Sequence, residues 1–122
     1  MKHPTYTNNQ LERVSDICKG LAVRLGGVEN VTFEDNETTF AQTLERITKT
    51  IAFLESVPKE AFDNKEGTEV NIQAGSKTWT FTGLNYVNDF VIPNFYFHLV
   101  TTYALLRKEG VPVGKLDFLG AA

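Results

Sequence analysis

From Pro93 onward the chain reads PNFYFHLVTTYALL, and Phe95, Tyr96, Phe97, Leu99, Val100, Tyr103, Leu105 and Leu106 leave a helix almost no polar face. A helix that is apolar nearly all round must be enclosed, so the remaining residues have to build a bundle around it. The helix is expected to start after Thr82, a good N-cap, and to run to about Glu109, where Gly110 and Pro112 stop it. Pro93 falls inside that span. It lacks the N–H that would bond the carbonyl of Asp89, and its ring crowds the preceding turn, so a kink or two helices meeting end to end is expected.

Two more helices are legible. In QLERVSDICKGLAVRL, residues Leu11, Val14, Cys18, Leu21 and Leu25 recur at spacings of three and four, and Gly26 and Gly27 end the run. Phe40, Leu44, Ile47, Ile51 and Leu54 hold the same spacing, with Glu45 and Lys49 as an i,i+4 pair on the outer face. Asp35 or Asn36 is placed to cap that helix, and Pro58 lies just past its end. The connecting loop, VENVTFEDNE, reads as solvated and acidic, with Phe33 tucked under a neighbour. TEVNIQAGSKTWTFTG alternates apolar and polar residues around AGS and predicts a β-hairpin docked through Trp79 and Phe81. The tail VGKLDFLG should fold back onto the body. The pattern is mainly α: an up-down bundle of three long helices with a hairpin inserted before the last, in one domain over residues 1–122.

Length and charge bound the function. The 122 residues suit one domain with a real core, and the formal charge of −3, without a basic patch, argues against nucleic acid. A lone cysteine, Cys18, forms no internal disulfide and fits a reducing compartment. No apolar run is long enough to span a membrane, and MKHPTYTNNQ has no apolar signal core, so the expected compartment is the cytoplasm.

The segments FVIPNFYFHLVTTYALLRKEGVPVGKLDFLG, KTWTFTG, TLERITKTIAFLESV and QLERVSDICKGLAVRLGGVE together resemble one bacterial family. It is the domain-of-unknown-function family numbered nineteen ninety-three, in the DinB-like superfamily of four-helix bundles. The resemblance runs from about Gln10 to Gly120 and implies the DinB-like bundle. Members usually carry a further helix and loop before the position of Thr7, so the chain reads as N-terminally shortened. Better-known DinB-like proteins hold a divalent metal through three histidines, two of them spaced H-x-x-x-H. Here Asn94 and Thr102 stand four residues either side of His98, and the other histidine is His3. The three-histidine set is missing, and tight zinc or nickel binding is not expected.

His98 therefore carries two readings. Asn94, His98 and Thr102 share one helix face. In the first reading His98 is a core histidine, satisfied by a carbonyl or hydroxyl, beside an apolar pocket for a small ligand lined by His98, Asn94, Tyr96, Thr102 and Tyr103. The protein is then non-enzymatic or vestigial and has no cofactor. In the second, His98 binds a divalent metal with Asp16 and Asn94, as a thiol-transferase-like or hydrolase-like enzyme. At 100° per residue Asp16 points away from the Leu11/Cys18/Leu25 stripe, and one histidine, one carboxylate and an amide are a poor transition-metal set. Three helices and a hairpin leave a long apolar groove. A two-fold homodimer is expected to cover it through the first helix, with Ile17 and Val23, and one face of residues 90–106.

Overall fold

The computed structural model describes residues 4–121, with side chains from Thr7, and His3 lies outside them. Helix α1 spans Pro4–Arg24 and α2 spans Phe40–Glu55. A 3₁₀ turn at Lys59–Phe62 leads to strands β1, Glu69–Ala74, and β2, Lys77–Thr82. The third long helix, α3, occupies residues 83–108, and a short α4 spans Lys115–Phe118. Three long helices with a hairpin before the last is the architecture expected from the sequence. Helix α1 lies in the middle, packing on α2 through one face and on α3 through another. No helix among the described residues is long and apolar enough to cross a membrane.

The buried faces differ from the expected ones. On α1, Asn8, Glu12, Ser15, Lys19 and Ala22 are buried, and they form one row at spacings of three and four. They meet a second polar row on α2: Thr43, Arg46 and Thr50. The apolar contact is on the other side of α1, where Ile17 and Leu25 join Val70, Ile72, Tyr86 and Val91 in the core, with Leu21 against them. Ile17 is thus a core residue and not, as expected, available to a partner. Leu11, Val14 and Cys18 lie between these two faces and are half-buried. The apolar stripe of α2 sits about 90° round from its polar row by helical geometry, and it is open, with Phe40 76% and Ile51 50% exposed.

Thr39, rather than Asp35 or Asn36, caps α2. Its hydroxyl accepts from the Gln42 N–H at 3.1 Å, and the Gln42 side chain accepts in turn from the Thr39 N–H at 3.1 Å. Asp35 is drawn elsewhere by Arg46.

Helix α3 accommodates Pro93 without breaking. Residues Tyr86–Val91 form a π-helical turn, in which the Ile92 N–H reaches back five residues to the Val87 carbonyl. The wider turn shifts the hydrogen-bond register just before the residue that has no N–H to give. Beyond it, α3 is not the enclosed centre its composition suggested. Thr102 is buried, but Phe97 is 64% exposed and Ile92, Tyr96 and Val100 are about half exposed. The cause is the layout: α1, not α3, occupies the middle, and one long side of α3 has no neighbour.

The hairpin register places Val70 opposite Phe81 and Ile72 opposite Trp79, so all four share one face. Val70 and Ile72 are the buried anchors, whereas Trp79 is 47% exposed and offers an edge contact to Phe90 at 6.2 Å. A two-stranded ribbon is too narrow to enclose an indole. Phe81 does dock, against Tyr86 and Phe90. At the entry to α3, Gly83 is required because a Cβ there would overlap the carbonyl oxygen of Lys65. The tail folds back only in part: Phe118 packs edge-on against Tyr103 at 5.8 Å, while Leu116 and Leu119 stay exposed.

Candidate functional site

His98 faces α1. Its Nδ1 lies 2.6 Å from Gln10 Oε1, a contact between residues 88 apart in sequence. An amide oxygen only accepts, so Nδ1 carries the proton and Nε2 keeps its lone pair. Burial holds the imidazole pKa below its ordinary value, and the nearby Arg13 charge adds to this, which favours the neutral ring. Thr102 sits one turn on, its hydroxyl donating back to the His98 carbonyl at 2.9 Å. Asn94 is half-buried on the same helix. Replacing His98 by Leu strands the Gln10 amide and is expected to cost about 1 kcal/mol in urea denaturation; an unchanged midpoint would count against a structural role.

Of the five residues expected to form a pocket, Thr102 and Tyr103 line one cleft of about 190 Å³, with Leu99, Leu106, Val113 and Phe118. His98, Asn94 and Tyr96 do not line it. The Tyr103 hydroxyl accepts from Arg107 at 3.1 Å, at the rim, and Tyr96 is exposed. Cys18 is half-buried on α1, its thiol pKa pushed up by burial, as suits a packing residue.

A second constellation lies on the opposite flank of α1. Arg46 on α2 has a side chain only 4% exposed. Its Nη1 donates to Asp35 at 2.7 Å, to Glu37 at 3.3 Å and to the Glu34 carbonyl at 3.2 Å. Its Nη2 donates to Asp16 at 3.0 Å, and its Nε to the Ser15 hydroxyl at 3.3 Å. Arg13 bridges Asp35 and Asp16 from the solvent side, at 3.1 and 3.3 Å. Ser15 and Thr50 hydrogen-bond at 2.7 Å, and Asn8 ties Thr43 to the Glu37 carbonyl. The acidic loop is largely exposed, as expected, but it is tied down. Asp35 and Glu37 are strapped onto α1 and α2 through one guanidinium, and Asp16 is held by Arg46 and Arg13, with no hydrogen bond to His98.

Charge within this network is finely set. Burial, then a hydrogen bond with Glu37, then the charges of Asp35 and Glu37 raise the Glu12 carboxyl to about 7, against a smaller lowering by Arg46. Two carboxyls can hydrogen-bond only if one holds a proton, so Glu12 keeps its proton up to near neutrality. Oxygens of Glu12, Asp35 and Glu37 lie within 4.8 Å of one another, but Arg46 already occupies Asp35 and Glu37, so a cation entering there would have to displace a guanidinium. Asp35 is held below its ordinary range, chiefly by its hydrogen bond from Arg46.

With this geometry in place, the comparisons with known proteins decide the family. The profile of the domain of unknown function DUF1993 matches residues 7–119. The chain belongs to the DUF1993 family. A crystal structure of a DinB family member protein from Shewanella denitrificans superposes on it with a TM-score of 0.82 at 33% identity, covering 95% of this chain and 66% of that one. The chain thus spans a little under two thirds of its structural neighbour's length. No curated protein matches it.

In this DUF1993 chain, the constellation around Arg46 is what reading the residues one stripe at a time missed. Glu12, Lys19, Arg46 and Glu37 are all close to fully buried. The signal was present: Thr43, Arg46 and Thr50 recur at the same spacing as the apolar stripe beside them, as do Asn8, Glu12, Ser15 and Lys19. Two polar rows with helical periodicity on adjacent helices are a buried interface as readily as a solvated one.

Proposed function

We propose that this chain is a non-catalytic, self-associating DUF1993 domain, in which two copies complete each other's bundle. The observation that carries the reading is the large apolar side chains left exposed on both outer helices: Phe40, Leu44 and Ile51 on α2, and Ile92, Tyr96 and Val100 on α3. We take these two stripes as the walls of a groove over α1. By helical period Leu11, Val14 and Cys18 form its floor. Side chains of this size left in water forgo roughly 1.5–3 kcal/mol each, against a total stability of about 5–15 kcal/mol. A second copy offers the same amphipathic faces and closes both grooves by two-fold symmetry. Relative to the sequence-based expectation, α2 replaces α1 as the main contributor.

The small-ligand part of the reading is supported by the cleft at Thr102 and Tyr103, next to His98. The non-catalytic part is supported by the partner of His98, a neutral amide that offers no charge for acid–base work. The metal-assisted alternative, with His98, Asp16 and Asn94, finds less support, since Asp16 is engaged by two guanidinium groups.

Sedimentation equilibrium at micromolar concentration tests the assembly. A dimer is expected, burying more than about 1,000 Å² in total. Ile51→Asp, an exposed position, should shift it to monomer with the helical signal retained. A wild-type monomer with cooperative melting overturns the proposal.

A further inference from the structure

A cleft of about 390 Å³ opens where the loop before α2 crosses the C-terminal half of α1. Lys19, Gly20 and Arg24 form its α1 wall, Phe33 and Thr32 the facing wall, and Asp16 and Asp35 one end. Lys19 is 5% exposed, yet it makes no hydrogen bond or ion pair among the described residues. Its Nζ rests over the Phe33 ring, 4.3 Å from the centroid. A buried ammonium without an oxygen acceptor is unusual, because such a cation ordinarily needs a paired anion to offset its lost hydration.

The carboxylates at the end of the cleft do not fill that role. Asp16 is bonded to Arg46 and Arg13, and Asp35 to the same two. Burial and the Arg46 charge disfavour the Lys19 ammonium, the charges of Asp16 and Asp35 favour it from a distance, and neither carboxylate bonds Lys19. A second cation stands beside it. Arg24 lies back along α1, its Nη1 donating to the Tyr86 hydroxyl at 3.0 Å. Gly20 makes this possible, since a Cβ there would collide with that guanidinium. Arg24 thereby keeps donors free at the cleft. The cleft thus joins an unpartnered ammonium, a forked donor and an aromatic wall, all held by helix α1 and a loop that Arg46 straps down.

We infer that this cleft binds the oxyanion of a small molecule, a carboxylate or phosphate group seated between Lys19 and Arg24 with its apolar part against Phe33. A point charge and a planar fork are the pair of cations such groups favour. The volume is at the lower end of the range of small-molecule sites, so the ligand is a small molecule and not a polymer. The site is separate from the apolar groove and from His98, so it does not depend on self-association.

Isothermal titration calorimetry on the intact chain, at constant ionic strength set with sodium chloride, tests this with two probes: inorganic phosphate and malonate. Saturable binding of at least one probe is expected, with a dissociation constant of about 1 mM or tighter. Preference for phosphate assigns the site to phosphoryl compounds, and preference for malonate to carboxylic acids. Lys19→Met should weaken binding at least tenfold. Arg24→Gln, at an exposed position, should weaken it several-fold with the helical signal and cooperative melting retained, and it carries the test if Lys19→Met does not fold. No saturable heat from either probe overturns the inference, as does binding that Arg24→Gln and a folded Lys19→Met leave intact.

Discussion

Replacing Arg46 by Met is expected to lower the stability of the fold by about 3–5 kcal/mol, the usual effect of removing one partner from a buried charge network. The guanidinium is almost fully enclosed and holds three carboxylates, a carbonyl and a hydroxyl at once. Asp16 and Asp35 are near half exposed and can rehydrate when it is gone. Glu37 and Glu12 cannot, being buried against each other. The second effect is geometric: without Arg46 the Glu34–Glu37 segment is left with the ties from Arg13 and Asn8 on α1, so the cleft over Lys19 should loosen too. Arg46→Lys should recover only a minor part, because an ammonium cannot fork across Asp35 and Asp16 as a planar guanidinium does. Lys49→Met is the control. Its pair with Glu45, at 3.1 Å, is exposed on both sides and should be worth under about 0.5 kcal/mol. Urea denaturation of all three at one protein concentration decides, since assembly would make stability concentration-dependent. A loss below about 1 kcal/mol for Arg46→Met would mean the network only decorates the helix interface.

Much of the fold was legible because its punctuation is local. Gly26 and Gly27, Pro58 and Gly110 end helices whatever surrounds them, and the AGS turn sets the hairpin. What could not be read was which helical face would be buried. Helices α1 and α2 each carry two periodic rows, one apolar and one polar, and counting apolar residues picks the wrong row when the neighbouring helix sits on the other. Phe40 and Leu44 are exposed and Thr43 and Arg46 buried for that reason. Pro93 predicts a kink or two helices meeting end to end, and the four-residue rule behind that expectation does not foresee the π turn at Tyr86–Val91, which bonds across five. The site suffers most from sequence distance. His98 is conspicuous, but its partner Gln10 is an ordinary amide 88 residues away. Asp35 and Glu37 lie in a loop with no periodicity to reveal that Arg46 gathers them. Helical geometry points Asp16 away from the Leu11 stripe, yet its pairing with Arg46 depends on a register between helices that no local rule supplies.

The stability of this chain should fall as pH rises from about 4.5 to about 7, and Glu12→Gln should abolish most of that fall. The Glu12 carboxyl titrates near 7 in the fold and near 4.5 when free. Between those values the folded chain holds a proton that the unfolded chain has released. The contribution is therefore complete below 4.5, shrinks through the window and is lost above 7. At 1.36 kcal/mol per unit, the span corresponds to roughly 3 kcal/mol as an upper figure. Other groups pull differently. His98, depressed below its ordinary 6.5, favours folding as pH rises through the window just under that value, opposing Glu12. Asp35, lowered from 3.8, acts only at more acidic pH. The wild type alone therefore shows a blunted slope, and the difference between wild type and Glu12→Gln isolates the carboxyl. Glutamine keeps the shape and can donate its amide to Glu37 as the protonated acid does, so the variant should match wild type near pH 4.5. By pH 8 it should be the more stable by about 2–3 kcal/mol. Denaturation midpoints for both proteins across that range give the answer. A difference constant to within about 0.5 kcal/mol would show that Glu12 gives up its proton at the same pH in the folded and the unfolded chain.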